Sequence, residues 1–106
     1  MIISILTRQT RITERAVWEA SLGTVLPKIR DILGAQPGFV SVQYLWGADE
    51  PGRIAQITTW QSEGDCRRYI REGAAATVAT IEDAAVPTAA YPNGNWVRTN
   101  LSVADV

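Results

Sequence analysis

Four side chains between positions 56 and 69 are the main candidates for chemistry: Gln56, Trp60, Cys66 and Tyr69. The sequence contains no histidine, which removes the usual neutral-pH acid or base, the usual metal ligand and every histidine-dependent triad. With a single cysteine, a zinc site would depend almost entirely on carboxylates. No glycine-rich phosphate loop is present either. We therefore expect no metal and no cofactor, and chemistry limited to what an amide, a phenol and an aromatic wall can support.

Three of these side chains have both a functional and a structural interpretation. Trp60 can form the wall that positions a flat aromatic substrate, or it can cap the hydrophobic core. The amide of Gln56 can donate to a phenolate or a developing peroxide anion, or it can pair with Thr58 or a neighbouring strand. Tyr69 can donate a proton or a hydrogen bond to a substrate oxygen, or it can be a half-buried packing residue.

Other chemistry-bearing residues are weaker candidates. Cys66 has no histidine to activate it as a nucleophile, so we expect a small buried hydrophobic residue. Arg8 and Arg98 can bind an anionic substrate inside a cavity, or they can be solvated or paired with carboxylates. The other tryptophans are interpreted as core, dimer-face or strand-anchoring residues: Trp18, Trp46 and Trp96.

The elements that position these residues follow from the apolar pattern. Alternation and β-branched residues predict four strands over residues 2–9, 39–46, 53–60 and 96–103. The second strand places Val40, Val42, Tyr44 and Trp46 on one face and Phe39 on the other. The third strand places Gln56 and Trp60 on one face.

Two helices connect the strands. Apolar residues spaced by three and four predict the first: Trp18, Leu22, Val25, Ile29 and Leu33. We expect Thr13 to cap its N-terminus and Pro27 to kink it or start a new segment. Ser62 is predicted to cap the second helix, which continues towards Ala85, and residues 87–94 are predicted to connect it to the fourth strand.

The order β-α-β-β-α-β predicts an α+β, ferredoxin-like fold in a single domain over residues 1–106. Right-handed connections place both helices on one face of a four-stranded antiparallel sheet. The other face then carries apolar residues that need a partner. A homodimer is the simplest closed arrangement, and we expect one.

Composition excludes several classes of function. The net charge of −1 provides no electrostatic footprint for nucleic acid, and no apolar run approaches the ~20 residues that span a bilayer. We therefore expect no nucleic-acid partner and no membrane partner. A single cysteine fits a reducing compartment, so we expect a cytoplasmic protein.

Two stretches together resemble the antibiotic biosynthesis monooxygenase (ABM) family: LPKIRDILGAQPGFVSVQYLW and AQITTWQSEGDCRRYI. The first matches a helix that ends in a Pro-Gly-Phe turn before the second strand. The second matches a third strand that ends on Trp, followed by a polar cap and a helix. The resemblance implies two protomers whose four-stranded sheets pack into a dimeric α+β barrel, each with a cavity between its sheet and helices.

The resemblance also implies functions. Relatives include oxygenases that use neither metal nor flavin, haem-degrading enzymes and proteins without an established activity. The haem-degrading relatives hold iron through a histidine, which this sequence lacks. In the cofactor-independent oxygenases an Asn and a Trp on the third strand belong to the substrate pocket. Trp60 matches the Trp, and Gln56 stands at the Asn position with an amide one methylene further from the backbone.

We therefore expect a cofactor-independent monooxygenase that acts on a small aromatic or polyphenolic compound. Trp60 would be the wall, Gln56 the hydrogen-bond donor and Tyr69 an auxiliary donor. The alternatives are a non-catalytic protein that binds a small hydrophobic ligand, and a cofactor-free isomerase or stress-responsive barrel protein. The isomerase is disfavoured because it needs a proton carrier with a suitable pKa.

Overall fold

The computed structural model describes residues 1–83 and 96–106, which form four strands and three helices. The elements are β1 (Ile2–Gln9), α1 (Arg15–Gly34), β2 (Phe39–Trp46), β3 (Arg53–Trp60), α2 (Glu63–Glu72), α3 (Ala74–Asp83) and β4 (Val97–Ser102). The predicted connection over residues 87–94 and the predicted helix end near Ala85 lie outside the described residues.

The strands form one antiparallel sheet in the order β2-β3-β1-β4. This order is the one that two split βαβ units give, and it confirms the predicted α+β, ferredoxin-like class. The 47–52 connection joins β2 to β3 as a hairpin, in which Gly52 adopts a φ of 88° that favours glycine.

The two faces of the sheet differ in burial. The face under the helices carries buried residues at alternate positions, including Ser4 and Leu6 of β1 and Gln56, Thr58 and Trp60 of β3. The opposite face is partly or fully exposed and carries apolar side chains from all four strands: Ile3, Ile5, Leu45, Ile57, Val97 and Leu101. The sequence prediction of a bare apolar sheet face is therefore confirmed for this chain.

The start of β2 differs from the predicted face assignment. Phe39 pairs with Trp60, and the next pair is Ser41 with Thr59, so the register shifts by one residue around Val40. A bulge of this kind moves a side chain to the other face of the sheet. Phe39 consequently packs edge-on against the Trp60 ring, on the helix side, while Val40 is 41% exposed. The prediction that Val40 shares a face with Val42, Tyr44 and Trp46, with Phe39 on the other face, was therefore wrong at the start of the strand.

Helix α1 is continuous from Arg15 to Gly34 and contains Pro27 without a break. Buried residues lie on both sides of the proline, with Trp18 before it and Ile29 and Leu33 after it, so tertiary packing holds the two halves together. The predicted apolar face is confirmed. The predicted cap is not, because the N-cap residue is Glu14 and no side chain accepts a hydrogen bond there.

The second predicted helix is two helices, because Gly73 ends α2 before α3 begins. A Cβ on Gly73 would lie 2.9 Å from Tyr69 Cδ1 and 3.1 Å from Gln36 Cδ, so a larger residue would force α2 away from the end of α1. Ser62 caps α2 as predicted, since its Oγ accepts a hydrogen bond from the Asp65 amide at 3.1 Å. None of the helices within residues 1–83 and 96–106 combines the length and the apolar character of a membrane span.

Two apolar clusters lie between the sheet and the helices. The larger contains Ile29, Leu33, Trp60, Cys66, Tyr69, Ala74 and Ile81. The smaller contains Ile12, Trp18 and Ile54. Tyr44, Leu22 and Trp96 contact both clusters, so the region around Tyr44 joins the two halves of the core.

Helix α2 has a side-chain N-cap and helix α1 has none, and this difference can be tested by mutation. Ser62→Ala removes the cap of α2 and should lower the free energy of unfolding by about 1 kcal/mol. Thr13→Ala, in which the exposed Thr13 does not cap α1, should change it by less than about 0.5 kcal/mol. Urea unfolding of both variants at one protein concentration measures the difference. Equal losses in the two variants would contradict the assigned caps.

Candidate functional site

The helix-facing side of β3 places four side chains in a row under the helices: Ile54, Gln56, Thr58 and Trp60. Each is no more than 4% exposed. Strand periodicity alone produces this row, since successive side chains alternate between the two faces. The row contains two of the three predicted site residues, Gln56 and Trp60, together with two that serve the core.

Trp60 is fully buried, and its one hydrogen-bond donor, the indole N–H, is already used within the chain. Its Nε1 donates to Thr58 Oγ1 at 2.9 Å. Its ring stacks on Tyr69 with centroids 4.7 Å apart and an interplanar angle of 25°, and Phe39 meets its edge at 5.7 Å. The structure therefore places Trp60 in the core, where its ring packs against the ring of Tyr69.

Gln56 hydrogen-bonds across the hairpin. Its side-chain Oε1 accepts from Tyr44 Oη at 3.3 Å, and the two residues are direct cross-strand partners. This bond fixes the orientation of the amide, because the oxygen faces Tyr44 and the NH₂ group faces away from it. Among the described residues the NH₂ group makes no hydrogen bond of its own.

Tyr44 belongs to the candidate site, although it is not among the candidates predicted from the sequence. The signal that finds it is the hairpin register: counting outward from the 47–52 connection pairs Trp46 with Ile54 and Tyr44 with Gln56. Burial raises the pKa of the Tyr44 phenol well above its usual value, and the nearby Tyr69 raises it further, while Arg30 acts in the opposite direction. The phenol therefore stays protonated and remains a donor throughout the physiological pH range.

Tyr69 carries a buried hydroxyl that has no hydrogen-bond partner among the described residues. The residue is 1% exposed, and its hydroxyl group is close enough to Tyr44 to influence the pKa there. A buried hydroxyl without a partner costs about 1–3 kcal/mol, so it is a group for which a ligand or water is expected. Tyr69, Tyr44 and Gln56 thus form one polar group inside an apolar region.

A small cavity adjoins this polar group. It has a volume of about 10 Å³ and is lined mainly by aromatic and aliphatic side chains: Trp18, Leu22, Tyr44, Ile54, Ala55, Gln56, Ile81 and Trp96. This is enough for about one water molecule. An aromatic ligand would fit only after lining side chains move, and Trp60 is not part of the lining.

Cys66 is a packing residue, as predicted. It is 1% exposed, and burial raises the pKa of its thiol despite the opposing effect of Arg98. The thiol is therefore protonated at neutral pH and is a poor nucleophile. Within the described ranges no group of three His, Cys, Asp or Glu residues is arranged to hold a metal ion.

The two arginines considered for anion binding lie on the helix side of the sheet at different places. The Arg8 guanidinium lies over the Trp96 ring, 5.4 Å from its centroid. The Arg98 guanidinium donates to Ser4 Oγ at 2.7 Å and lies 5.9 Å from the centroid of the Tyr69 ring. Trp18 and Trp46 contact each other at 5.5 Å, which fits their interpretation as packing residues.

No protein-family model matches the sequence, and no curated protein matches it. Solved structures match over nearly the whole chain. SnoaB, a cofactor-independent oxygenase from Streptomyces nogalater, is 14% identical over 99% of this chain and 94% of its own, with a TM-score of 0.62. The ActVA-Orf6 monooxygenase of Streptomyces coelicolor, solved with nanaomycin D, is 13% identical over 99% of this chain and 90% of its own, with a TM-score of 0.64.

A third match binds a different ligand. A variant of MhuD, solved with two manganese protoporphyrin IX molecules per active site, is 19% identical over 100% of this chain and 98% of its own, with a TM-score of 0.63. These proteins are antibiotic biosynthesis monooxygenase family structures. At such identities the similarity establishes the fold, which different activities share. The chain therefore has the α+β fold of the antibiotic biosynthesis monooxygenases, as its sequence predicts.

Proposed function

We propose that this protein is a cofactor-independent monooxygenase that acts on a small aromatic or polyphenolic compound. The observation that carries the proposal is the buried polar group formed by Gln56, Tyr44 and Tyr69 in an otherwise apolar region between sheet and helices. Two matching structures are a cofactor-independent oxygenase and a monooxygenase, and they support the same class of reaction.

The proposed reaction uses the substrate as its own reductant. An electron-rich aromatic compound loses a proton to water, and its anion transfers one electron to dioxygen. The two radicals combine to form a carbon–oxygen bond, and the resulting peroxide anion takes up a proton from water. The hydroperoxide then loses water, together with the remaining hydrogen on the same carbon, to give a ketone. One oxygen atom enters the product and the other leaves as water, so the electrons balance without an external donor. The protein needs only to orient the anion and exclude bulk water.

The roles of the side chains follow from their hydrogen bonds. The Gln56 NH₂ group is the free end of an amide whose oxygen is held by Tyr44, so it is the donor to the substrate oxyanion. The Tyr69 hydroxyl, which has no partner among the described residues, is the second donor once the lining of the small cavity moves to admit the substrate. Trp60 is a positioning residue, since it holds the Tyr69 ring by stacking.

Dioxygen uptake by metal-stripped protein tests the activity. With a panel of hydroquinones and anthrone-type phenols, we expect turnover that does not depend on added metal or flavin. Gln56→Ala and Tyr69→Phe should each lower kcat/KM by about 10- to 100-fold, because each removes one hydrogen bond to a charged transition state.

Lys28→Gln, at an exposed position of α1, is the matched control and should keep full turnover. Circular dichroism establishes that each variant is folded. Full activity in both site variants would contradict the assignment of the site. Tight binding of a phenol without dioxygen consumption would instead identify a non-catalytic binding protein.

A stability comparison of two tyrosines tests whether the Tyr69 hydroxyl is maintained for a ligand. Tyr69→Phe should leave the free energy of unfolding unchanged or raise it by up to about 1–3 kcal/mol, because it removes a buried hydroxyl that lacks a partner. Tyr44→Phe should lower it by about 1 kcal/mol, because Gln56 Oε1 loses its donor. Equal losses on urea unfolding at pH 7 would contradict this difference.

Tyr44 should also make the free energy of unfolding depend on pH. In the unfolded chain Tyr44 ionises near its ordinary value of about 10, whereas the folded chain keeps it protonated to higher pH. The stability should therefore be complete below about pH 10 and fall as the pH rises further, by at most ~1.4 kcal/mol per pH unit from this residue. Tyr44→Phe should reduce that fall.

We also propose that the outer face of the sheet binds a second copy of the chain. Its apolar residues Ile5 and Ile57 are direct cross-strand partners, and Leu45, Val97 and Leu101 around them are 45%, 56% and 52% exposed. A contiguous apolar face of this kind marks an interaction surface. A two-fold dimer closes it with identical patches.

Sedimentation at micromolar concentration tests this interface. The native chain should sediment as a dimer, and Val97→Arg should shift it towards the monomer because a charge would be buried. Val17→Arg is the matched control, since Val17 is also 56% exposed but lies on α1. A native monomer, or dissociation by both variants alike, would contradict the proposed interface.

A further inference from the structure

A second cleft lies at the edge of the sheet, between β1, β4 and the first turns of α2. It has a volume of about 400 Å³ and is lined by Ile2, Glu63, Cys66, Arg67, Asn100 and Ser102. None of these residues lines the cavity beside Gln56. Its volume is within the range of small-molecule sites, which is roughly 300–1,000 Å³.

The charges around this cleft do not cancel. Glu63 Oε1 accepts two hydrogen bonds from Arg67, at 3.1 Å from Nε and 2.6 Å from Nη2, so these two charges compensate each other. Arg98 does not line the cleft but is linked to the lining residue Asn100 through Ser4, and among the described residues it forms no ion pair with a carboxylate. The half-buried guanidinium instead contacts the neutral Ser4 and Tyr69. Within residues 1–81 and 96–106, this positive charge therefore has no carboxylate partner.

Two consecutive hydrogen bonds connect Arg98 to Asn100, which lines the cleft. Arg98 Nη1 donates to Ser4 Oγ at 2.7 Å, and the Ser4 hydroxyl donates to Asn100 Oδ1 at 2.6 Å. Ser4, the middle member of this chain, is 1% exposed, whereas Arg98 is half-buried and Asn100 is exposed at the cleft. Because the Asn100 oxygen is occupied by Ser4, the NH₂ group is the part of the amide left for the cleft.

The floor of the cleft is apolar and uncharged. Ile2 is an aliphatic side chain, and the Cys66 thiol is neutral because burial raises its pKa. The cleft thus combines a donor-rich side, formed by Asn100, Ser102 and the remaining N–H groups of Arg67, with a small apolar surface. A ligand that matches both parts has an oxyanion at one end and an apolar body at the other.

We propose that this cleft binds a small carboxylate with an apolar body. A guanidinium without a carboxylate partner among the described residues matches a single negative charge, and the planar carboxylate can accept from Asn100 and Arg67 together. Arg98 acts as a positioning residue, since it reaches the ligand through Ser4 and Asn100. The site is independent of the oxygenase proposal, because the two cavities share no lining residue.

Titration with benzoate, followed by two-dimensional ¹H–¹⁵N NMR, tests the site. Saturable shifts should appear for the Asn100 side-chain NH₂ group and for the backbone amides of Cys66 and Arg67. Benzyl alcohol, which has the same ring without the charge, should bind at least about tenfold more weakly, because it lacks the charge-assisted hydrogen bonds.

Two variants locate the binding. Asn100→Asp replaces the donor by a like charge and should raise the benzoate Kd by about tenfold or more, and Arg67→Gln should raise it severalfold. Arg15→Gln is the matched control, because Arg15 forms the same type of exposed (i, i+4) pair with Glu19 on α1. It should leave the Kd unchanged.

Three results would overturn the proposal. They are the absence of saturable shifts with benzoate, equal binding of benzoate and benzyl alcohol, and an equal effect of Arg67→Gln and Arg15→Gln. None of them depends on dioxygen uptake, so failure of this site and failure of the oxygenase activity are separate outcomes.

Discussion

The stack of Trp60 on Tyr69 is the contact that ties the sheet to helix α2. It joins the last residue of β3 to the middle of α2, with ring centroids 4.7 Å apart. Trp60 is held in turn by its hydrogen bond to Thr58 and by the edge of Phe39, so its ring has little freedom to rotate. Aromatic pairs in this arrangement contribute about 0.5–1.5 kcal/mol beyond the area that they bury. Tyr69 is thereby held in place, with its hydroxyl near Tyr44 and its ring beneath Arg98.

Buried polar side chains in this protein fall into two groups. Thr77 and Thr80 donate to carbonyls one turn earlier in their own helical segment, and Thr58 accepts from Trp60, so these hydroxyls are satisfied locally. Ser21 has a buried hydroxyl without a partner, but a change of rotamer lets a helical serine donate to the preceding turn. A tyrosine hydroxyl lies too far from its own backbone for this. The unsatisfied Tyr69 is therefore informative about function, whereas Ser21 is not.

The features of the fold that depend on the spacing of residues along the chain could be predicted from the sequence. The faces of β3 and α1, the cap at Ser62, the strand order and the inert Cys66 all follow from spacing and local chemistry, and the structure agrees with each. The sequence did not predict the bulge at Val40, because a bulge depends on cross-strand pairing rather than on the pattern within one strand. It also missed the division at Gly73, where the constraint is contact with Tyr69 and Gln36 from elsewhere in the fold.

The contrast between spacing within one strand and contacts between strands also explains which residues of the candidate site could be predicted. Gln56 and Trp60 were accessible to sequence reasoning because they share one strand face. Tyr44 and Ser4 were not, because their importance lies in which partner each one meets across the sheet. Tyr44 turns the Gln56 amide so that its NH₂ group is free, and Ser4 does the same for Asn100. In both places a hydroxyl donates to an amide oxygen, and the amide NH₂ group is left without a partner among the described residues. These two NH₂ groups carry the two ligand proposals, because the fold alone specifies no ligand: its relatives include proteins solved with ligands as different as nanaomycin D and a metal porphyrin.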